Sequence, residues 1–318
     1  MLNLLEARKA AEEKDRSLRD KTMSLSEAIK KFVHDGDTVA LSGPNFTRLA
    51  MAAVREIIRQ GKKDLTVAKT LASFDVELLL AASLVKKIIA SWVSVGVVWG
   101  VSKVMRDRVE SGKVEFEEWS NFGMNLRFKA GAMGVPFLPA FSMLGSDLIK
   151  QNNCRVITCP YTGLKLAAVP ALFPDVAVIH AQRADKYGNV IIDGPTAADP
   201  DIAKSAKHVI VTVEEIVDTE EIRREADKTA IPFFMVDAVV WAPFGGHPYD
   251  CYGYYDMDFE HVSAYVNLIE TKGVNAAQEY LQEYVYGVKD HFEYLAKIPL
   301  EKLFKKAQIA KAIRYGWE

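Results

Sequence analysis

Two rhythms alternate along the chain: short β-branched and apolar runs, then segments whose apolar residues recur every three or four positions. The first run, TVALSG (38–43), reads as a strand entering a loop. The helical pattern LAMAAVREIIRQ follows and stops at Gly61. DLTVAKTLAS with VELLLAASL repeats the strand, loop and helix, and VKKIIASWVS with GVVWGVSKVMRDRVESG repeats them again. A short strand is predicted over 114–118 and a helix over 125–133. Farther on, VAVIHAQRAD reads as a buried strand, and KYGNVIID as a bend at Gly188-Asn189 plus a strand. ADPDIAKSAKH reads as a short helix, VIVTVEEIV as a strand and IPFFMVDAVVWAP as a strand pair, with amphipathic helices closing the chain over 258–313. Near the start, Ser24 and Glu27 stand at capping-box spacing ahead of a helix that ends at the turn His34-Asp35-Gly36-Asp37.

This alternation predicts an α/β protein with an open, mainly parallel sheet and helices on both faces. Ligands of such sheets sit at the carboxyl ends of strands. The loops after TVALSG, DLTVAKT and KKIIAS are therefore the first candidates. Residues 1–22 predict a charged helical extension, solvated or disordered, and 23–318 a single domain.

Composition narrows the classes. Of 318 residues, 49% are hydrophobic and 26% charged, which fits a globular chain with a large core. The net charge of −2, with no basic block, argues against a nucleic-acid partner. The longest uncharged run, Ile88 to Ser102, is shorter than the roughly 20 residues of a membrane span. Lys86, Lys87 and Lys103 bracket it, so it reads as a buried strand and turn, with no membrane partner. Cys154, Cys159 and Cys251 form no disulfide framework and no CxxC pair; Cys154 and Cys159 read as buried apolar residues. With a charged start lacking an apolar leader, they point to a cytoplasmic setting. The six histidines do not cluster at metal-ligand spacing, so no metal is expected.

The loop Ser42–Arg48 carries the most chemistry. Gly43 permits a sharp turn, and Asn45 and Thr47 offer polar groups. Arg48 stands at an expected helix start, where backbone N–H groups favour an anion and a guanidinium can grip a carboxylate. The plain alternative is a strand-to-helix turn with a surface arginine. The spacing matches neither GxxxxGK[ST] nor GxGxxG. Ser73 and Asp75 follow the second strand and either serve a site or cap the next helix, capping being the better local reading. His247, in the turn Ala242–Pro248, can bond a carboxylate or thioester oxygen, or be structural. The run CYGYYDMDF reads as packing. No GxSxG elbow is present.

Taken together, these stretches resemble the α subunit of family I coenzyme A transferases of the glutaconate CoA-transferase type. HDGDTVALSG with Arg48, PFLPAFSMLGSDL, VAVIHAQRADKYGNVIIDG, VEEIVDTEEIRR and VDAVVWAPFGGHPYDCYGYYDMD carry the likeness, from about residue 23 to about 295. The resemblance implies a CoA-transferase (NagB/RpiA-like) fold. It also implies a β subunit partner that carries a catalytic glutamate in a Ser-Glu-Asn-Gly-like turn, which this chain lacks. It implies no permanent cofactor, with coenzyme A thioesters and carboxylic acids as substrates. By carry-over, Gly43, Asn45 and Arg48 form the loop nearest the substrate, with Ser73 and Asp75 beside it, and loop amides act as oxyanion donors.

The departures from that pattern concern the acid. Ser42-Gly43-Pro44 replaces a paired glycine and phenylalanine, Leu49-Ala50 replaces Lys-Pro, and bulkier Leu71, Ser73 and Phe74 replace a glycine-rich loop. They imply a narrower pocket and an acid other than glutaconate, less polar or aromatic. Two other readings share the scaffold. Ring-opening CoA hydrolases carry a glutamate shortly before the Pro-Phe-Leu-Pro stretch, where Asn121 stands here with Glu117 and Glu118 nearby; a decarboxylase is the related case. Sugar-phosphate sensor domains bind without turnover, but accompany a DNA-binding module that is not evident here.

Overall fold

The computed structural model describes residues 1–152 and 154–312; the last residue of the predicted terminal helix, 313, lies outside them. Ten strands form the main sheet: β1 (Thr38–Leu41), β2 (Leu65–Ala72), β3 (Val85–Gly96), β4 (Gly100–Val101), β5 (Glu115–Glu118), β9 (Val176–Asp185), β10 (Val190–Ile191), β11 (His208–Val217), β12 (Thr229–Ile231) and β13 (Ala238–Trp241). Seven of them run parallel in the order β5-β3-β2-β1-β9-β11-β13. The short strands β4, β10 and β12 pair antiparallel at the margins.

Period-two alternation explains why the strands read as continuous apolar runs. Val39 and Leu41 point into a core shared with the helices Leu25–Phe32, Met51–Arg59 and Phe74–Ala81. Ala40 points to the opposite core, against Met124 and Phe128 of the helix Asn121–Met133 and Ile202 of the helix Asp199–Ser205. From β1 the chain builds outward through β2, β3 and β5, then returns to add β9, β11 and β13 on the other side. The order reverses between β1 and β9, and a crevice opens where the two neighbouring loops part.

Several details differ from the sequence reading. Strands β6 (Phe137–Ala140), β7 (Arg155–Thr158) and β8 (Lys165–Pro170) form a separate antiparallel sheet that no clean alternation announced. The helix expected from 125 begins at Asn121, because Ser120 caps it by accepting the Gly123 N–H. In IPFFMVDAVVWAP only β13 is a full strand; β12 ends at its first residue, and Phe233–Met235 is a 3-10 turn. The turn after β3 is not buried: Val97 and Val98 are 60% and 69% exposed. The Ser24–Glu27 capping box forms as predicted.

In the N-terminal extension a solvated helix, Leu4–Glu13, occupies the first part. The segment after it is docked rather than disordered. Lys14 pairs with Asp237 at 2.5 Å, Lys21 is fully buried with Nζ donating to the Phe233 carbonyl, and Thr22 bridges in parallel to Val239.

Two carboxylates illustrate how turns are held. Asp185, at the end of β9, accepts the backbone N–H groups of Tyr187, Gly188 and Asn189, the Asn189 carboxamide and the Thr219 hydroxyl. Asp250 pairs by backbone with Thr47, but its buried Oδ1 has no hydrogen-bond partner among the described residues. Burial pushes its carboxyl up from 3.8 to about 6, and the Asp256 charge adds to the rise.

Two outcomes follow from these sites. Asp185→Ala leaves several donors unpaired, so it should lower unfolding free energy by roughly 2–4 kcal/mol in urea titrations. Between its ordinary value and about 6, Asp250 holds a proton in the folded chain that the unfolded chain has lost. Stability from this group therefore falls as pH rises through that window, by about 3 kcal/mol once above it. Asp250→Asn should match wild type near pH 4 and show the higher melting temperature at pH 7.5.

Candidate functional site

The loop after β1 is set by backbone geometry. Gly43 has φ of +88°, and a Cβ there would sit 2.6 Å from the carbonyl oxygens of Thr47 and Arg48. Only glycine fits that approach. Asn45 and Arg48 also adopt left-handed φ, 56° and 54°. The Ser42 hydroxyl oxygen accepts the His180 N–H, which ties the loop to β9.

Arg48 is neither a surface residue nor a free anion gripper. It is 0% exposed, and its helix begins only at Met51. Its Nη1 donates to Asp199 Oδ2 at 2.5 Å and its Nη2 to the Pro195 carbonyl at 2.5 Å. Asp199 Oδ1 accepts the Gly43 N–H at 3.0 Å. Both oxygens of Asp199 are thus engaged. The Gly43 amide, expected as an oxyanion donor, is engaged too.

The second loop meets the first. The Ser73 hydroxyl donates to the Asn45 carbonyl at 2.8 Å and makes no helix cap. Asp75 takes the capping work: its Oδ1 accepts the N–H groups of Ser73 and Val76, and its Oδ2 accepts from the buried Lys69 ammonium at 2.5 Å. Gly43, Asn45, Arg48, Ser73 and Asp75 therefore form one connected cluster. His247 stands apart from it. Its ring lies between the Tyr294 hydroxyl at 2.7 Å and Asp258 at 3.2 Å, and it is 1% exposed. Burial first of all holds its pKa below the ordinary value, so it stays neutral near pH 7.

A cavity of about 220 Å³ opens at the carboxyl ends of β1 and β2. Gly43 and Pro44 come from the first loop, Thr70 and Leu71 from β2, Asn121 and Asn125 from a helix start, and Ala197, Ala198 and Asp199 from the start of another. The loop after β3 does not line it. Asp199, Thr70 and Asn125 were not singled out from sequence. Asp199 lies 151 residues from the arginine it pairs with, and no local pattern joins them. A larger hollow of about 310 Å³ lies at the opposite end of the sheet. Lys204 and Lys207 there stand where a helix ends, a place that attracts cations.

His180, Glu214 and Cys251 also converge, with candidate ligand atoms within 4.8 Å of one another. Hydrogen bonds already use these groups. The His180 nitrogens meet Thr212 and Glu214 at 2.9 and 2.7 Å. Glu214 also accepts from the amides of Phe244 and Gly245 and from the Tyr255 hydroxyl. Burial raises the Cys251 thiol pKa well above its ordinary value. The cluster reads as the anchor of the turn Ala242–Pro248, not as a metal centre. The three cysteines are free thiols, Cys154 and Cys251 buried and Cys159 only partly so. Among the described residues no helix is long and apolar enough to cross a membrane.

Known proteins resemble this chain in sequence and fold. The sequence model described as Coenzyme A transferase matches residues 22–242. The chain is 41% identical over 283 residues to the A-type subunit of 3-oxoadipate CoA-transferase from Pseudomonas knackmussii, covering 87% of this chain and 97% of that one. It is 39% identical over 300 residues to the A-type subunit of glutaconate CoA-transferase from Acidaminococcus fermentans, covering 89% and 93%. The crystal structure of glutaconate CoA-transferase from that organism aligns with a TM-score of 0.85 over 89% of this chain and 94% of that one. A structure of the decarboxylase AibA/AibB aligns at 0.72, with 32% identity, over 83% and 99%. The α/β architecture and the sequence likeness agree: the chain belongs to the coenzyme A transferase family.

Proposed function

We propose that this chain is the A-type subunit of a two-chain CoA-transferase, and that the nucleophilic glutamate comes from its partner. The observation that carries the reading is the state of the cavity's carboxylate. Asp199 is the acidic residue among the cavity lining, and Arg48 and the Gly43 amide occupy both of its oxygens. A carboxylate held in this way is a poor nucleophile, so attack on a thioester needs another chain.

In the proposed reaction the partner's glutamate attacks the acyl-CoA carbonyl. The C–S bond breaks, and a mixed anhydride and CoA thiolate result. The thiolate then attacks the glutamyl carbonyl, releases the first acid and leaves a glutamyl-CoA thioester. The acceptor acid reverses these steps and departs as its own CoA ester. This chain walls the acyl group and keeps water from the anhydride. The Asn45 and Phe46 amides have no acceptor among the described residues and serve as oxyanion donors, since the Gly43 amide is engaged.

The hydrolase reading is weaker on one observation. At the place of the hydrolase glutamate, the cavity is lined by the Asn121 amide. Nearby Glu117 is bound to Arg127 and Lys87 at 2.6 and 2.7 Å.

Thioester exchange should be absent from the purified chain and appear on adding a partner with a Ser-Glu-Asn-Gly-like turn, followed by separating CoA esters chromatographically. Full-rate exchange by this chain alone, lost on replacing one of its own carboxylates, would falsify the proposal. Arg48→Met strands a buried carboxylate, so it should cost about 3–5 kcal/mol in urea titrations and abolish exchange in the complex. Adding Asp199→Asn should return at least half of the lost stability without restoring exchange.

A further inference from the structure

We infer that the hollow at the amino ends of β9, β11 and β13 is a second binding site, and that it takes an organic phosphate of the nucleoside diphosphate class. The site is separate from the cavity at the carboxyl ends of β1 and β2 and does not depend on the transferase reading. One of its walls comes from residues 7–16, ahead of the stretch that matches the family, residues 22–242.

The chain itself builds the space. Phe173 precedes β9, Lys207 precedes β11 and Met235 precedes β13, and all three line the hollow. The ends of three helices meet there as well. Ala7, Arg8 and Ala11 belong to Leu4–Glu13, Gly131 and Met133 to Asn121–Met133, and Lys204 and Ser205 to Asp199–Ser205. Gly131 lets the last two helices close up, since a Cβ there would sit 2.8 Å from the Ser205 Cβ and clash with the Leu172 carbonyl. The segment after the first helix, held by the pair of Lys14 and Asp237, adds Lys14 and Arg16 to the lining. The volume of about 310 Å³ lies at the small end of ligand pockets.

Charge decides what the space attracts. Arg8, Lys14, Arg16, Lys204 and Lys207 line it, and no Asp or Glu does. Asp237 neutralises Lys14. The other four are exposed and form no ion pair among the described residues. Helix ends answer part of this charge: Arg16 donates to the Ala11 carbonyl, and Lys204 and Lys207 stand at a helix carboxyl terminus. Each such terminus carries about half an elementary charge, so the three together offset less than half of the four cations. The remainder is gathered on a concave surface, which concentrates the field. The whole protein carries −2, so this positive surplus is local.

An anion with two or more charges answers that surplus. Guanidinium groups suit phosphate, which they hold through paired N–H donors. The rest of the lining is largely apolar, with Met133, Phe173, Phe234 and Met235. A bare phosphate would leave that surface wet. A flat base attached to the phosphates covers it, and a guanidinium can stack on the base.

The test is calorimetric titration of the full chain, without its partner subunit, with ADP, pyrophosphate and adenosine. ADP should bind about tenfold more tightly than either fragment. Replacing two exposed cations together, Arg8→Gln with Arg16→Gln, should weaken ADP by on the order of tenfold or more. Ala11→Phe fills the hollow without changing its charge and should abolish binding. Unliganded melting temperatures near wild type show that both variants fold. No binding at millimolar ADP, or equal affinity in wild type and the double variant, overturns the inference; the second result would also expose binding at the catalytic cavity instead. Pyrophosphate or adenosine binding as tightly as ADP overturns the assignment to a nucleoside diphosphate.

Discussion

The buried pair of Arg48 and Asp199 holds the working end of the sheet together. It joins the loop after β1 to the start of a helix that lies 151 residues farther along the chain. Three hydrogen bonds converge there, two from the guanidinium and one from the Gly43 amide. They stabilise a loop with three residues in left-handed backbone, two of them not glycine. Such conformations cost free energy and persist where the surroundings fix them. Burying two charges is itself unfavourable, so the pair offsets its desolvation only while both partners remain.

The same arrangement recurs nearby. Asp75 caps one helix and orients Lys69, and Glu214 anchors the turn Ala242–Pro248 through two amides, a histidine and a tyrosine. Each of these carboxylates serves the architecture. What remains for chemistry is a neutral wall, with carboxamides, a hydroxyl and loop amides. That division agrees with a subunit that shapes a shared site and leaves covalent attack to another chain.

Features with local causes could be read from sequence. The alternation of strands and helices, the Ser24–Glu27 capping box and the sharp turn at Gly43 each depend on residues a few positions apart. The loops after β1 and β2 do meet, since parallel topology brings such ends together, while the loop after β3, expected with them, does not line the cavity. The inward direction of Arg48 could not be read, because it depends on Asp199. Ser73 had a local helix to cap, but the Asn45 carbonyl, 28 residues away, took its hydroxyl. His247 had suggestive neighbours in sequence, yet Tyr294 and Asp258 enclose it, and both lie farther along the chain. The sheet of β6, β7 and β8 escaped notice because prolines and exposed positions blur its alternation. The family resemblance supplied what local reading did not, the expectation of a partner.

The docked N-terminal segment has a consequence for the order of assembly. Thr22 pairs with Val239, Lys21 reaches Phe233 and Lys14 reaches Asp237, the last two across 212 and 223 positions. On a ribosome, residues 14–22 emerge long before the groups that receive them. Part of their attachment can form earlier, because the Lys21 N–H donates to the Lys186 carbonyl and the Lys14 ammonium to the Lys207 carbonyl. The full set of bonds closes only once the outer lane is present, since Phe233, Asp237 and Val239 supply the rest.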